Sequence, residues 1–435
     1  MYAWWRVWLW ESATERFVEL GGGMQKGSGL DNLFRSLSVV ILGLCISLTA
    51  GAATVSTRSL SHTKNKSQTV TENPRTQRRM SQRRYSHRVV RSSYSTSTRS
   101  RRHRRYYERF HTSSFAGDQT ATDQASGEDP VVRQAAIDAL GDMNGTIVAI
   151  DPNSGRILAM VNQPLALSEG AQPCSTIKLS VALAALSEGI ISKDTKVNLG
   201  GRYRMDLTDA LARSNNTYFE VLGRSLGFEK VSYYAHQFGL GELAGFNIPG
   251  EHLGTYPSEE LGAKLGGVGK MCSFGESISM TPLQLGALVS AIANGGTLYY
   301  LQHPNTPEEV ASFQPKVKRR LDIANVIPDL TDGMAGAVLY GTARPLRATF
   351  NEEEILGKTG TCSKNGTRFG WFASYANTNV GKVVVVVFLR GGRPTFGPKA
   401  AEISGRMYRN LYDHSFFAAR TPSLERNSTP VNAAQ

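Results

Sequence analysis

Three short polar motifs, far apart in the 435-residue chain, carry residue types that could perform acyl transfer. Ser175 and Lys178, in Ser-Thr-Ile-Lys, are three residues apart, so on a helix they lie on one face, one turn apart. The positive potential at the start of a helix favours the negative charge that develops on a serine oxygen. A buried lysine near a second cation loses its proton close to neutral pH and can act as a base. The pair predicts a serine nucleophile activated by a lysine.

Two further motifs add polar groups to this pair. Ser214 and Asn216 belong to Ser-Asn-Asn, a polar run inside a helical pattern, which is out of place unless it faces a site. Lys358 opens Lys-Thr-Gly-Thr at the start of a late strand, where Gly360 permits a substrate backbone to approach closely. Alone, each motif has a structural explanation as a polar helix face or a charged edge strand. A second Ser-x-x-Lys spacing, at 61–64, lies in a basic segment and is given no role.

The elements that must position these motifs are predicted from about residue 142 onward. Apolar runs at 146–150 and 156–161 predict two strands joined by the turn Asp-Pro-Asn-Ser-Gly. The run of five valines at 383–387 predicts a strand that is buried on both faces. The remaining predicted elements are a helix at 175–186, a mostly helical stretch at 205–294, strands at 355–361, 368–375 and 382–390, and a helix at 398–412. Strands at both ends with helices between them predict one mixed α/β domain over 142–412, followed by a loose tail over 413–435.

Residues 145–412 resemble the transpeptidase domain of penicillin-binding proteins. The motifs S-x-x-K, S-D-N and K-T-G mark penicillin-recognising serine enzymes, and all three occur here in that order, with S-N-N in the middle. The resemblance extends to AIDPNSGRILAM at 149–160, SISMTPLQLGALVSAIANGG at 277–296 and GMAGAVLYGTA at 333–343. It implies an α/β (α+β) fold, with a five-stranded antiparallel sheet flanked by helices and a helical subdomain beside the site.

The same resemblance implies catalytic roles for four residues. Ser175 would attack the carbonyl of a D-Ala-D-Ala stem peptide, and Lys178 would take its proton. Ser214 would relay a proton to the leaving D-alanine, while Lys358 would hold Ser214 and set the local field. The implied activity is that of a peptidoglycan D,D-transpeptidase or D,D-carboxypeptidase that β-lactams inhibit covalently, with no cofactor and no metal.

Substrate-binding roles follow from the resemblance as well. Asn216 would bind the substrate amide, and the hydroxyl groups of Thr359 and Thr361 would bind the terminal carboxylate beside Gly360. The backbone N–H groups of Ser175 and Thr361 would bind the oxyanion, an interaction worth about 2.7–4 kcal/mol per donor.

Two alternatives keep the same fold. A serine β-lactamase needs an efficient deacylating water, yet no glutamate motif of the expected kind is recognisable, and Tyr-Ala-Asn at 375–377 follows Lys-Thr-Gly-Thr in the wrong order. A non-catalytic envelope protein that senses β-lactams is the second alternative. The intact Ser175, Lys178, Ser214 and Lys358 argue against it.

Two of the four cysteines flank the motifs. Cys174 stands where the family usually has glycine, and Cys362 follows Lys-Thr-Gly-Thr where alanine is common. A disulfide bridge between them is one interpretation, but a separate small apolar packing role for each cysteine is favoured. With Cys272 they make an odd number after the N-terminal apolar segment, so at least one thiol is predicted to be free. No Cys/His spacing indicates zinc.

The N-terminal part, residues 1–53, is interpreted as an extension plus a signal peptide or signal anchor. Its apolar run at 39–48 is short for a membrane span, which takes about 20 residues. Lys26 and Arg35 precede the run, and Ala-Gly-Ala at 50–52 follows it, as in a cleaved secretory signal. Translation from Met24 instead of Met1 would give a signal of ordinary length. The prediction is an exported, periplasmic or extracytoplasmic protein, anchored to the membrane by 37–53 if the signal is retained.

The net charge of +13 is concentrated in one segment. Residues 54–115 contain 16 Lys and Arg against two acids, a balance of +14, so the rest of the chain is close to neutral. Without apolar periodicity this segment cannot offset the entropy of ordering, and a disordered tether is predicted over 54–141. Its expected partners are anionic envelope polymers rather than nucleic acid. Recruitment of a separate glycosyltransferase is left open.

Overall fold

The computed structural model describes residues 109–378 and 381–418. The predicted signal segment, the basic run up to residue 108 and the tail from 419 onward lie outside the described residues. In the part of the chain that the structure describes, no helix has both the length and the apolar character needed to cross a bilayer.

Nine strands and ten helices are found among these residues. The strands are β1 (Gly145–Ile150), β2 (Ile157–Val161), β3 (Val197–Gly200), β4 (Tyr203–Met205), β5 (Thr297–Tyr299), β6 (Val317–Arg320), β7 (Glu354–Lys364), β8 (Thr367–Thr378) and β9 (Gly381–Gly391). The helices are α1 (Pro130–Leu140), α2 (Gln163–Ala166), α3 (Lys178–Ser187), α4 (Leu207–Ala212), α5 (Asn216–Gln237), α6 (Gly267–Phe274), α7 (Pro282–Ala293), α8 (Pro307–Ala311), α9 (Ile327–Leu339) and α10 (Gly397–Asp413). Short 3₁₀ turns cover Cys174–Ile177, Ala263–Leu265 and Arg344–Ala348.

The predicted five-stranded antiparallel sheet is confirmed, in the order β2-β1-β9-β8-β7. Strand β1, from the start of the domain, pairs with β9, from its end, so the sheet is closed by distant segments. Strand β7, which carries Lys-Thr-Gly-Thr, is at one edge of this sheet. A substrate can therefore reach its backbone from the side opposite β8.

Both faces of the sheet are covered by helices. Because side chains alternate along a strand, Val384 and Val386 of β9 enter a core with α3, α5 and α7. Val383, Val385 and Val387 enter a second core with α1 and α10. This arrangement explains the unbroken apolar run in β9, since neither face of the strand contacts water.

The prediction of a disordered tether over 54–141 is wrong for residues 109–141. Helix α1 packs against the second core, and Asp129 caps its first turn by accepting hydrogen bonds from Val131 N and Val132 N at 3.0 and 3.1 Å. The Arg133 guanidinium bridges Asp123 and Glu128 at 3.1 and 2.8 Å, and both carboxylates are fully buried. Residues 109–141 therefore belong to the folded domain, despite the highly charged sequence that precedes them.

The tail also begins later than predicted. After α10, Phe416 and Phe417 are buried in the second core, with 8% and 6% of their surface exposed. The aromatic pair fixes the chain to the domain up to residue 418.

Candidate active site

Ser175 lies in the 3₁₀ turn Cys174–Ile177, which runs directly into α3. A continuous helix from 175 was predicted, so the first turn is tighter than expected. The partly exposed Ser175 places its Oγ 3.1 Å from Nζ of Lys178, a side chain that is fully buried.

Lys178 Nζ has two other close partners that can only accept hydrogen bonds. These are the Ser214 carbonyl oxygen at 2.8 Å and Asn216 Oδ1 at 2.7 Å. A neutral amine has two N–H groups and one lone pair, so these two contacts use both of its donors. The lone pair is then available to the Ser175 hydroxyl, which is the arrangement that a general base requires.

The environment favours this neutral amine. Burial, together with the nearby Lys358 ammonium, lowers the pKa of Lys178 to about 6, while Glu220 acts in the opposite direction. At neutral pH the uncharged form of Lys178 therefore predominates.

Ser214 lies between the two lysines. It occupies the turn that joins α4 to α5, with φ of +55°, a left-handed conformation. Its Oγ is 3.2 Å from Lys178 Nζ and accepts a hydrogen bond from Lys358 Nζ at 2.9 Å. Lys358 also donates to the Thr359 carbonyl at 3.0 Å, and burial lowers its pKa to about 7. A chain of polar groups thus connects the motifs of all three segments.

The rest of Lys-Thr-Gly-Thr forms the neighbouring wall on β7. Thr359 Oγ1 is 2.6 Å from Thr342 Oγ1, and Thr361 Oγ1 accepts a hydrogen bond from Gly397 N at 2.8 Å. A Cβ atom at Gly360 would lie 2.9 Å from the Pro173 carbonyl oxygen. The close neighbour that requires glycine here is therefore the chain's own turn before Ser175, a contact that the sequence interpretation did not include.

Sequence reasoning missed two polar residues beside this cluster. Thr342 contacts Thr359 and also donates its backbone N–H to the Ala212 carbonyl at 3.1 Å, so it joins β7 to the end of α4, just before the Ser-Asn-Asn motif. Glu220, one turn after Asn216 on α5, pairs with Lys270 at 3.4 Å. Glu220 lies four residues after Asn216, so the helical spacing alone indicated that the two side chains are neighbours. Thr342 could be found only as part of the GMAGAVLYGTA run.

The interpretation of Cys174 and Cys362 as separate packing residues was wrong. Their sulfur atoms form a disulfide, with a Cα–Cα distance of 5.5 Å and a sequence separation of 188 positions. Cys272 is free and buried, as the odd count predicted, and burial raises the pKa of its thiol to about 12. Over residues 109–378 and 381–418, no group of three or more His, Cys, Asp or Glu side chains is arranged to hold a metal ion.

Comparisons with known proteins agree with this geometry. The family model described as the penicillin binding protein transpeptidase domain matches residues 145–413. Stage V sporulation protein D of Bacillus subtilis is 27% identical over 337 residues, which cover 64% of this chain and 50% of that protein. The peptidoglycan D,D-transpeptidase MrdA of Haemophilus influenzae is 24% identical over 391 residues, which cover 70% of this chain and 57% of that protein.

A solved structure shows the same fold. The D,D-transpeptidase domain of a peptidoglycan glycosyltransferase from Eggerthella lenta has a TM-score of 0.53 at 21% identity, covering 66% of this chain and 82% of that one. At this identity the likeness establishes the fold alone. The chain spans about half the length of the two curated relatives above.

Proposed function

Because the chain belongs to the penicillin binding protein transpeptidase family, we propose that it is a peptidoglycan D,D-transpeptidase that acts through an acyl-enzyme at Ser175. The observation that carries the proposal is the 3.1 Å contact between Ser175 Oγ and the buried Lys178 Nζ, whose two N–H groups are accepted by the Ser214 carbonyl oxygen and Asn216 Oδ1. Relatives bearing the name peptidoglycan D,D-transpeptidase support the same activity.

Acylation begins with attack by Ser175 Oγ on the carbonyl carbon between the two terminal D-alanines. The serine proton moves to the lone pair of Lys178 as the Oγ–C bond forms and the carbonyl electrons move to oxygen. The backbone N–H groups of Ser175 and Thr361 are the donors that we assign to this oxyanion.

The intermediate then collapses and breaks the C–N bond to the terminal D-alanine. Its nitrogen takes a proton from Ser214, whose hydroxyl is 3.2 Å from Lys178 Nζ and 2.9 Å from Lys358 Nζ. Lys178 returns the serine proton through this path, so D-alanine leaves as a neutral amine and the base is regenerated. An amine of a second stem peptide, or water, then attacks the ester and releases Ser175.

Substrate contacts are assigned to the two walls of the site. The hydroxyls of Thr359 and Thr361 on β7 would bind the terminal carboxylate beside Gly360, while Lys358 would hold Ser214 and set the local field. Asn216, whose Oδ1 accepts from Lys178 at 2.7 Å, would bind the substrate amide across the cleft. Transfer to an amine gives cross-linking, while transfer to water gives carboxypeptidase activity.

A β-lactamase of the same fold differs in how fast the acyl-enzyme is hydrolysed. We expect the full chain to consume nitrocefin in a single burst of about one equivalent per protein molecule, followed by little further hydrolysis, because the proposed mechanism assigns no residue to activate a water for rapid deacylation. The measurement is the absorbance of hydrolysed nitrocefin at increasing protein concentration. Sustained turnover would favour the β-lactamase, and the absence of any burst would favour a non-catalytic protein.

The cellular setting is proposed from the segment ahead of the domain. Disulfides persist in oxidising compartments, so the Cys174–Cys362 bond supports export, in agreement with the signal predicted over 1–53. We propose that residues 54–108 hold the enzyme on anionic envelope polymers, near a glycosyltransferase that supplies glycan strands. The chain enters the domain beside β7 and β8, where His111 N donates to the Gly366 carbonyl of their hairpin at 2.9 Å.

Charge attraction of this kind weakens with salt. We therefore expect envelope fractions washed at increasing salt concentration to release the full chain progressively, with release measured by immunoblotting. A variant that lacks 54–108 should leave the same fractions at low salt and keep its penicillin acylation. Release that does not depend on salt would contradict the electrostatic tether.

A further inference from the structure

The Cys174–Cys362 disulfide spans the candidate active site. Cys174 immediately precedes Ser175, and Cys362 immediately follows Thr361, so the bond joins the segments that carry the two assigned oxyanion donors. Cys174 is fully buried, while Cys362 on the edge strand is partly exposed. The bond therefore connects the two segments that border the site, through one buried and one partly exposed residue.

The backbone at Cys174 is in a conformation that cysteine disfavours. Its φ is +52°, in the left-handed region, where the Cβ atom of an L-residue crowds the next carbonyl oxygen. The turn before it is tightly packed, since the Pro173 carbonyl oxygen accepts from Thr176 Oγ1 at 2.6 Å. Pro173 also lies against Gly275, where an added Cβ would be 2.4 Å from the proline ring. This conformation sets the direction of the Ser175 N–H and Oγ.

We propose that the Cys174–Cys362 disulfide is a positioning pair, which holds residue 174 in the left-handed conformation and thereby aligns the Ser175 N–H with the Thr361 N–H. The proposal rests on the acylation of Ser175 proposed above. It explains how a residue with a Cβ stands at a backbone position suited to glycine, because the covalent bond supplies the restraint that glycine does not need.

Reduction removes this restraint. A dithiol such as dithiothreitol gives two electrons and two protons to the S–S bond, which breaks to leave two thiols while the dithiol becomes a disulfide. Cys174 can then relax out of the left-handed region, where an L-residue is disfavoured by about tenfold. The fraction of molecules with Ser175 correctly aligned falls by a similar factor.

The test is the acylation of the full chain by a fluorescent penicillin, with the rate separated into the affinity of the first complex and the rate constant of acylation. We expect reduction of the wild-type chain to lower the acylation rate constant by about tenfold, with little change in affinity. Thiol counting by mass spectrometry after alkylation verifies that the bond is open.

Two bond-free double variants separate backbone positioning from a general loss of structure. Cys174→Gly with Cys362→Ala should acylate almost as fast as the oxidised wild type, since glycine adopts the left-handed conformation freely. Cys174→Ala with Cys362→Ala should be as slow as the reduced wild type, and neither variant should respond to dithiothreitol. If the alanine variant does not fold, the acylation rate of the glycine variant is compared with that of the reduced wild type instead.

Three results would overturn the proposal. They are unchanged acylation on reduction, equally slow acylation by the glycine and alanine variants, and a fall on reduction that lies in affinity alone. Failure of the oxidised wild type to be acylated at all is a different result, because it would remove the proposed function itself.

Discussion

Replacing Ser175 with alanine should abolish covalent labelling of the protein by a fluorescent penicillin. The hydroxyl is the only group that the proposed mechanism attaches to the acyl chain, and its Oγ lies 3.1 Å from the Lys178 amine that activates it. The measurement is in-gel fluorescence after incubation of the full chain with the labelled penicillin. Because Ser175 is partly exposed, the change should leave the unfolding temperature close to that of the wild type.

The chain contains its own matched control. Ser61 stands three residues before Lys64 in the second Ser-x-x-Lys spacing, so Ser61→Ala makes the same chemical change at the same local pattern. Labelling of this variant should equal that of the wild type. Residual labelling of Ser175→Ala, or loss of labelling in Ser61→Ala, would show that the nucleophile is elsewhere.

Replacing Lys178 with methionine should slow acylation by about 10²–10⁴-fold, the range that general base catalysis contributes. Methionine keeps most of the buried volume but has no lone pair to take the Ser175 proton. Lys178→Arg should be equally slow, because a guanidinium keeps the charge and does not lose its proton. An arginine variant with wild-type rates would mean that residue 178 acts through charge alone. Lys230→Met, at a lysine that pairs with Glu188 outside the site, should leave acylation unchanged.

The pH dependence tests the same base without a mutation. Since burial and Lys358 lower the pKa of Lys178 to about 6, the second-order acylation constant should be low in acid and rise through pH 6 as the amine loses its proton. This limb should disappear in Lys178→Met. A limb near the ordinary lysine value of about 10.4 would show that Lys178 is charged at neutral pH and does not serve as the base.

The local and strongly periodic features were predictable from sequence. Ser175 and Lys178 meet because three-residue spacing in a helical turn brings side chains together whatever surrounds them. The apolar run of β9 indicated a strand with two covered faces, and the structure covers both. The convergence of the three motifs was available only through the family resemblance, because local patterns carry no information about distances between remote segments.

Some of the features that were missed depend on tertiary contacts. Others lie in a short segment whose sequence differs from the charged residues that precede it. The Cys174–Cys362 bond joins residues 188 positions apart, and nothing in the local sequence pattern indicates the left-handed backbone at Cys174. The contact of Thr342 with Thr359 likewise forms only when α9 and β7 are in place. Helix α1 was assigned to the tether because the charge of the preceding residues masked the Asp129 cap and the apolar spacing that follows it.

The central claim is that folding brings one serine and two lysines into a site that captures a β-lactam or the peptide it mimics. The most direct measurement is peptide mapping by mass spectrometry after the full chain has reacted with a penicillin of known mass. We expect one penicilloyl group per molecule, located on the peptide that contains Ser175 and absent after denaturation of the protein before mixing. An unmodified Ser175 peptide beside an acylated residue elsewhere, or no mass increase in the folded chain, would contradict the account.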